Sequence, residues 1–128
     1  MKLLLDTHTF LWRAVGSPRL SQRANDAIDD RSNAVFVSAA SAWEVSTKHR
    51  LGKLPEGEAI LLRFSATIGD LRAKPIAMSI EHSLLAGSFT MNHRDPFDRM
   101  LAAQAALDGA VIVTMDPAFE TFPVTTLW

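Results

Sequence analysis

Short, wholly apolar runs alternate along this chain with polar turns and amphipathic stretches, and that alternation predicts its elements. Leu3-Leu4-Leu5, behind Lys2, reads as a strand buried on both faces and ending on Asp6-Thr7-His8. Residues 9–14, with Phe10, Leu11 and Trp12, are apolar enough for a packed helix that Gly16-Ser17-Pro18 stops. Leu20-Ser21 supplies a staple residue and an N-cap for a helix over 22–30 that places Ala24, Ala27 and Ile28 on one face. Ala34-Val35-Phe36-Val37 is a second buried strand, closed by Ser38, and a helix over 39–51 follows it, carrying Trp43, Glu44 and Val45 and stopping at Gly52. Apolar residues at 60, 61, 64, 68 and 71 give a helix over 58–71. A weaker strand over 75–78 and a short helix over 80–87 come next.

The last third opens with Asp95-Pro96. Asp95 is an N-cap, and Pro96 takes the first helical position, where its missing N–H costs nothing. Asp98 then falls in the first turn, where the helix dipole favours an anion, and residues 100–107 are good helix formers up to the stop at Gly109. A buried-type strand over 110–114 places Asp116 just past its end, and a final strand lies near 124–127. Strands alternating with helices imply βαβ units, hence an α/β fold with a parallel sheet covered on both faces. In such sheets ligands gather beyond the carboxyl ends of the strands, where Asp6 and Asp116 lie.

Composition narrows the field. At 128 residues the chain reads as one domain spanning 1–128, and 48% apolar with 21% charged residues is ordinary for a soluble globular protein. A formal charge of −1 gives no global basic field, so a nucleic-acid partner would need local Arg and Lys or a bound cation. The absence of cysteine excludes disulfides and thiolate metal sites and fits a reducing cytoplasm. The first apolar run is too short for a signal peptide, and none reaches membrane-spanning length.

Each acid also has a purely structural reading. Asp6 could terminate its strand or cap the next helix; Glu44 could pair with Lys48 or close a capping box with Ser41; Asp98 could answer the Asp95 cap; Asp116-Pro117 could be a turn. Asp26, Asp29, Asp30, Glu56, Glu58 and Asp70 read as solvated surface. Taken together, carboxylates converging on one sheet rim would repel unless a cation sat among them. An oxygen-only set suits Mg²⁺ or Mn²⁺ and suggests phosphodiester hydrolysis by an activated water. Thr114 shares a strand face with Asp116 and could bond a ligand or only satisfy its own strand; His8 and His93 adjoin the acids without ligand spacing; His49 and His82 have no clear partner. A phosphorylatable receiver domain is excluded, because it would want an acidic pair at the first strand and a late lysine, and none follows Lys74. The helices over 39–51 and 58–71 carry more apolar residues than one small sheet face needs, including Trp43, Leu61, Leu62 and Phe64, and predict a symmetric homodimer.

Leu4-Leu5-Asp6-Thr7-His8, Ser38-Ala39-Ala40-Ser41-Ala42-Trp43-Glu44, Asp95-Pro96-Phe97-Asp98-Arg99-Met100-Leu101-Ala102-Ala103-Gln104-Ala105 and Thr114-Met115-Asp116 resemble, in order, the motifs of PIN-domain ribonucleases, above all VapC-like toxins of bacterial toxin–antitoxin pairs. The resemblance implies a three-layer fold with a five-stranded parallel sheet in the order 3-2-1-4-5, a Mg²⁺ or Mn²⁺ site and an RNA substrate. It also implies a homodimer and a cognate antitoxin that blocks the site, for which we expect a basic side chain placed among the acids. Carried over, the acidic quartet of metal ligands and catalytic groups is Asp6, Glu44, Asp98 and Asp116. Asp95 is left as a cap and a supporting acid, and Thr7, Thr114, Arg99 and His93 as substrate-binding or supporting groups. Lys48, Arg50, Lys53, Arg94 and Arg99 are candidates for the RNA surface. The competing expectation is a PIN-fold module that binds RNA or protein without cleaving; possession of all four acids counts against it.

Overall fold

The computed structural model describes residues 1–54 and 57–128, so Glu56, read above as a surface acid, lies outside the described residues. Five strands, β1 (Lys2–Leu5), β2 (Ala34–Ser38), β3 (Lys74–Ile76), β4 (Val111–Val113) and β5 (Thr125–Leu127), form one sheet in the order β3-β2-β1-β4-β5. Every pairing is parallel, with Leu3 opposite Val35 and Val111, and Leu5 opposite Val37 and Val113. Strand order reverses beside β1, whose two neighbours are β2 and β4, so the ends of β1 and β4 open onto the switch point of the sheet.

Side chains of successive strand residues point to opposite faces, and the core divides accordingly. Leu3 and Leu5 pack with Phe10 and Leu11 of α1 (Thr7–Val15), Ala24 and Ile28 of α2 (Gln22–Asp29), and Val45 of α3 (Ala39–Arg50). Ile60 of α4 (Gly57–Leu62) and Ile68 of α5 (Phe64–Asp70) complete that layer. Leu4 and Ile112 face the other way, onto Leu101, Ala102 and Ala105 of α7 (Pro96–Asp108) and onto Phe119 and Phe122. The remaining helix, α6 (Ile80–Ser88), lies against α7, where His82 closes a capping box with Ser79 and approaches Asp108 at 3.2 Å.

Four expectations need correction. The first helix starts at Thr7, not Thr9, because Asp6 caps it, accepting from the Thr9 N–H at 2.6 Å, and it runs on to Val15. The helix expected over 58–71 is two helices broken at Arg63; the break turns Phe64 onto Phe10, with ring centroids 4.9 Å apart, and tertiary packing overrides the continuous pattern. The third strand is Lys74–Ile76 rather than 75–78; it tolerates Pro75 because it is an edge strand with one side free of ladder bonds. The Asp116-Pro117 turn is the start of a 3₁₀ helix, Pro117–Thr121, capped by the Asp116 carboxylate.

A candidate acidic centre at the sheet switch point

A cavity of about 70 Å³ opens beyond the carboxyl ends of β1 and β4, lined by Asp6, Glu44, Asp95, Asp98 and Asp116 together with Thr7, His8, Lys48 and Phe119. The five acids are carried by four elements. Asp6 ends β1, Glu44 stands in the second turn of α3, Asp95 and Asp98 form the entrance of α7, and Asp116 follows β4. The cavity is well below the roughly 300–1,000 Å³ of pockets that enclose an organic ligand, and suits an ion with its waters. A larger cavity of about 520 Å³ lies between Arg13, Arg31, Arg72, Asp29, Asp30 and Asp70, around the start of β2, where the opposed charges balance.

The acids are held by hydroxyls, backbone N–H groups, one ammonium and one imidazole rather than by one another. Asp6 is 5% exposed; one oxygen takes the Thr9 N–H and the other takes the Thr114 hydroxyl. The same Thr114 oxygen accepts from the Asp116 N–H at 3.0 Å, so one threonine ties the first acid to the last. Glu44, 3% exposed, accepts from the Thr7 hydroxyl at 2.6 Å on one oxygen and pairs with the Lys48 ammonium on the other. The Ser41 hydroxyl lies 3.0 Å from that of Thr7. Asp95 caps α7, accepting from Phe97 N–H at 2.9 Å and Asp98 N–H at 3.3 Å. Asp98 meets His93 Nε2 at 3.0 Å. Its pKa is pushed up to about 7, first by burial, then by the charges of Asp95 and Glu44, against the lowering effect of His93. An acid so disfavoured in its ionised form marks a place short of positive charge.

Residues expected to surround the acids divide into two groups. Thr7, Thr114 and His93 touch them, and Asp95 is the predicted cap. Arg99, expected among the substrate contacts, is bonded elsewhere. Its Nε donates to the Ala86 carbonyl at 2.8 Å, and its terminal nitrogens donate to those of Phe89 at 2.6 Å and His93 at 2.9 Å. A guanidinium offers five donors in a fixed fork and no acceptor, and here the fork organises the loop before α7. The pairing of Glu44 with Lys48 follows the i,i+4 spacing that the sequence displays. The bond between Thr7 and Ser41 has no such signal: the two are 34 residues apart, and nothing local in the sequence joins them.

The carboxylates fit a hard divalent cation: they are oxygen donors, outnumber the one lining histidine, His8, and surround a cavity of ionic size. Among the described residues, no three His, Asp or Glu side chains are drawn together closely enough to hold an ion as they stand. Mg²⁺ commonly takes one or two carboxylates and keeps several waters, so a closed protein shell is not required.

The model of the PIN domain family matches residues 3–124. Over 31 residues the chain is 52% identical to ribonuclease VapC16 of Mycobacterium tuberculosis, a stretch covering 24% of this chain and 22% of that protein. Among solved structures, the VapBC2 complex of Rickettsia felis, bound to a fragment of promoter DNA, superimposes with a TM-score of 0.69 at 15% identity over 99% of this chain and 98% of its match. FitAcB of Neisseria gonorrhoeae gives 0.65 at 18% identity over 98% and 96% of the two chains. VapBC-1 of nontypeable Haemophilus influenzae gives 0.59 at 15% identity over 99% and 97%. At these identities the likeness is one of fold. No helix among the described residues is long and apolar enough to cross a membrane.

Proposed function

The chain belongs to the PIN domain family, and on that premise we propose that it is a Mg²⁺- or Mn²⁺-dependent endoribonuclease, the toxin of a toxin–antitoxin pair. The observation that carries this reading is the convergence of Asp6, Glu44, Asp98 and Asp116 on one small cavity at the sheet switch point, with Asp98 pushed up to about 7. Bound there, the cation supplies Lewis acidity toward water and a phosphate oxygen. The chain's own residues do the rest. Thr114 and the Thr9 N–H fix both oxygens of Asp6, so that its carboxylate is presented in one orientation. Thr7 holds one oxygen of Glu44, and His93 one oxygen of Asp98. Such fixed dipoles need no reorganisation when charge develops on the attacked phosphate.

The VapBC relatives are complexes with a second protein, which supports a cognate antitoxin as partner here. An antitoxin side chain entering the cavity should be an arginine, whose planar fork matches carboxylates and brings the charge the site lacks. A homodimer is part of the same proposal. Expression in cells with and without the neighbouring small open reading frame, with RNA sequenced for new 5′ ends, tests the function. New ends at defined sites that vanish with the partner support it; growth and RNA unchanged by the chain alone would sink it.

A further inference from the structure

We infer that Lys48 is a catalytic residue that contacts the phosphate of the RNA, and that Glu44 serves as its tether. This rests on the ribonuclease reading above and goes beyond the acidic quartet. Five carboxylates line the cavity, and Lys48 is the one Lys or Arg among its lining residues. Of the two arginines that adjoin Asp95 and Asp98 in sequence, neither Arg94 nor Arg99 lines the cavity, and Arg99 has its guanidinium committed to backbone carbonyls. An RNA phosphate approaching this rim therefore meets positive charge from the bound ion and from Lys48.

The bonding around Glu44 explains how that ammonium is held. One carboxylate oxygen is taken by Thr7 and the other by Lys48, in a residue 3% exposed. Lys48 lies one helical turn beyond Glu44 on α3, so the i,i+4 pair fixes a flexible side chain over the cavity. Its side chain is 33% exposed, and among the described residues its ammonium bonds Glu44 alone. An ammonium has three donors, so two are left for a substrate oxygen and for water.

The competing role is structural, with Lys48 serving only to neutralise buried Glu44. A double-mutant cycle separates the two, using Lys48→Met, Glu44→Gln and their combination, with Lys48→Arg as the charge-conserving control. The readouts are kcat/KM for Mn²⁺-dependent RNA cleavage as a function of salt, and melting temperature. Glu44→Gln keeps an acceptor for Thr7 and removes the charge that needs neutralising. If Lys48 contacts phosphate, Lys48→Met lowers kcat/KM by about 10- to 100-fold in the otherwise wild-type chain, the range for losing a charge-assisted hydrogen bond, and by less once Glu44→Gln has removed the tether. It also flattens the slope of log kcat/KM against log salt by about 0.7, one phosphate contact on a single strand, while Lys48→Arg keeps the slope. If Lys48→Met cleaves as well as wild type, or the salt slope does not change, the inference is overturned. Wild-type protein that cleaves no RNA with Mn²⁺ present overturns the ribonuclease reading instead, so the two failures are distinct.

Discussion

Two aspartates three residues apart divide the labour at the head of α7. Asp95 satisfies the otherwise unpaired N–H groups of Phe97 and Asp98, so Asp95→Ala should cost about 0.5–2 kcal/mol in denaturant unfolding, and Asp95→Ser much less. Asp98 works against the fold when ionised. Its pKa is about 7 in the folded chain against an ordinary 3.8, so between those values the native protein binds the extra proton. Stability from this group is complete below about pH 4 and is lost as the pH rises to about 7, beyond which it stays lost. In metal-free protein, Asp98→Asn should therefore melt as high as wild type or higher at pH 8, with a flatter pH profile. It should also lose most of the stabilisation that Mn²⁺ gives wild type, which itself should grow as the pH rises towards 7 because ligands bind metal deprotonated. Asp98→Asn melting well below wild type at pH 8 without metal would show that His93 and the helix dipole outweigh the repulsion. The Asp95 cap was legible in the sequence, since capping rules act within four residues. The hydroxyls of Thr7, Ser41 and Thr114 were not legible as parts of one network with the carboxylates, because their partners come from other elements.

At the scale of elements, apolar periodicity located every strand and the α-helical segments, but neither the 3₁₀ helix after Asp116 nor the points where packing overrides it. The stripe at 60, 61, 64, 68 and 71 runs unbroken on paper, yet the chain turns at Arg63 so that Phe64 meets Phe10. The loop before α7 shows the opposite case, a local structure hidden by a motif. Arg99 stands beside Asp98 and looks like a substrate contact, but its guanidinium binds carbonyls of residues 86, 89 and 93. Arg99→Met should leave those carbonyls unpaired, destabilise the protein by about 2 kcal/mol or more, and loosen the loop that presents His93 to Asp98. Hydrogen exchange over residues 86–95 checks it; unchanged protection there would mean that the loop is held by its apolar contacts, Phe89 and Met91, alone.

For the whole molecule, strand alternation implied the parallel sheet, and the family resemblance supplied its order, which the structure bears out. Assembly is less directly written. Of the apolar residues that predicted a dimer, Leu61 and Phe64 pack against the chain's own core, whereas Trp43 is 54% and Leu62 81% exposed. A two-fold dimer covering Leu62 should give twice the monomer mass by light scattering at micromolar concentration, and Leu62→Glu should halve it; a monomeric wild type would count against the dimer. The acidic centre itself is tested most directly by purified protein and RNA. Cleavage should be absent in EDTA, restored by Mn²⁺, and reduced at least about 100-fold in Asp98→Asn, a loss within the range for removing an electrostatic catalytic group. Full cleavage after rigorous metal removal, or in the Asp98→Asn variant, would contradict the assignment of this carboxylate cluster as a metal-dependent nuclease site.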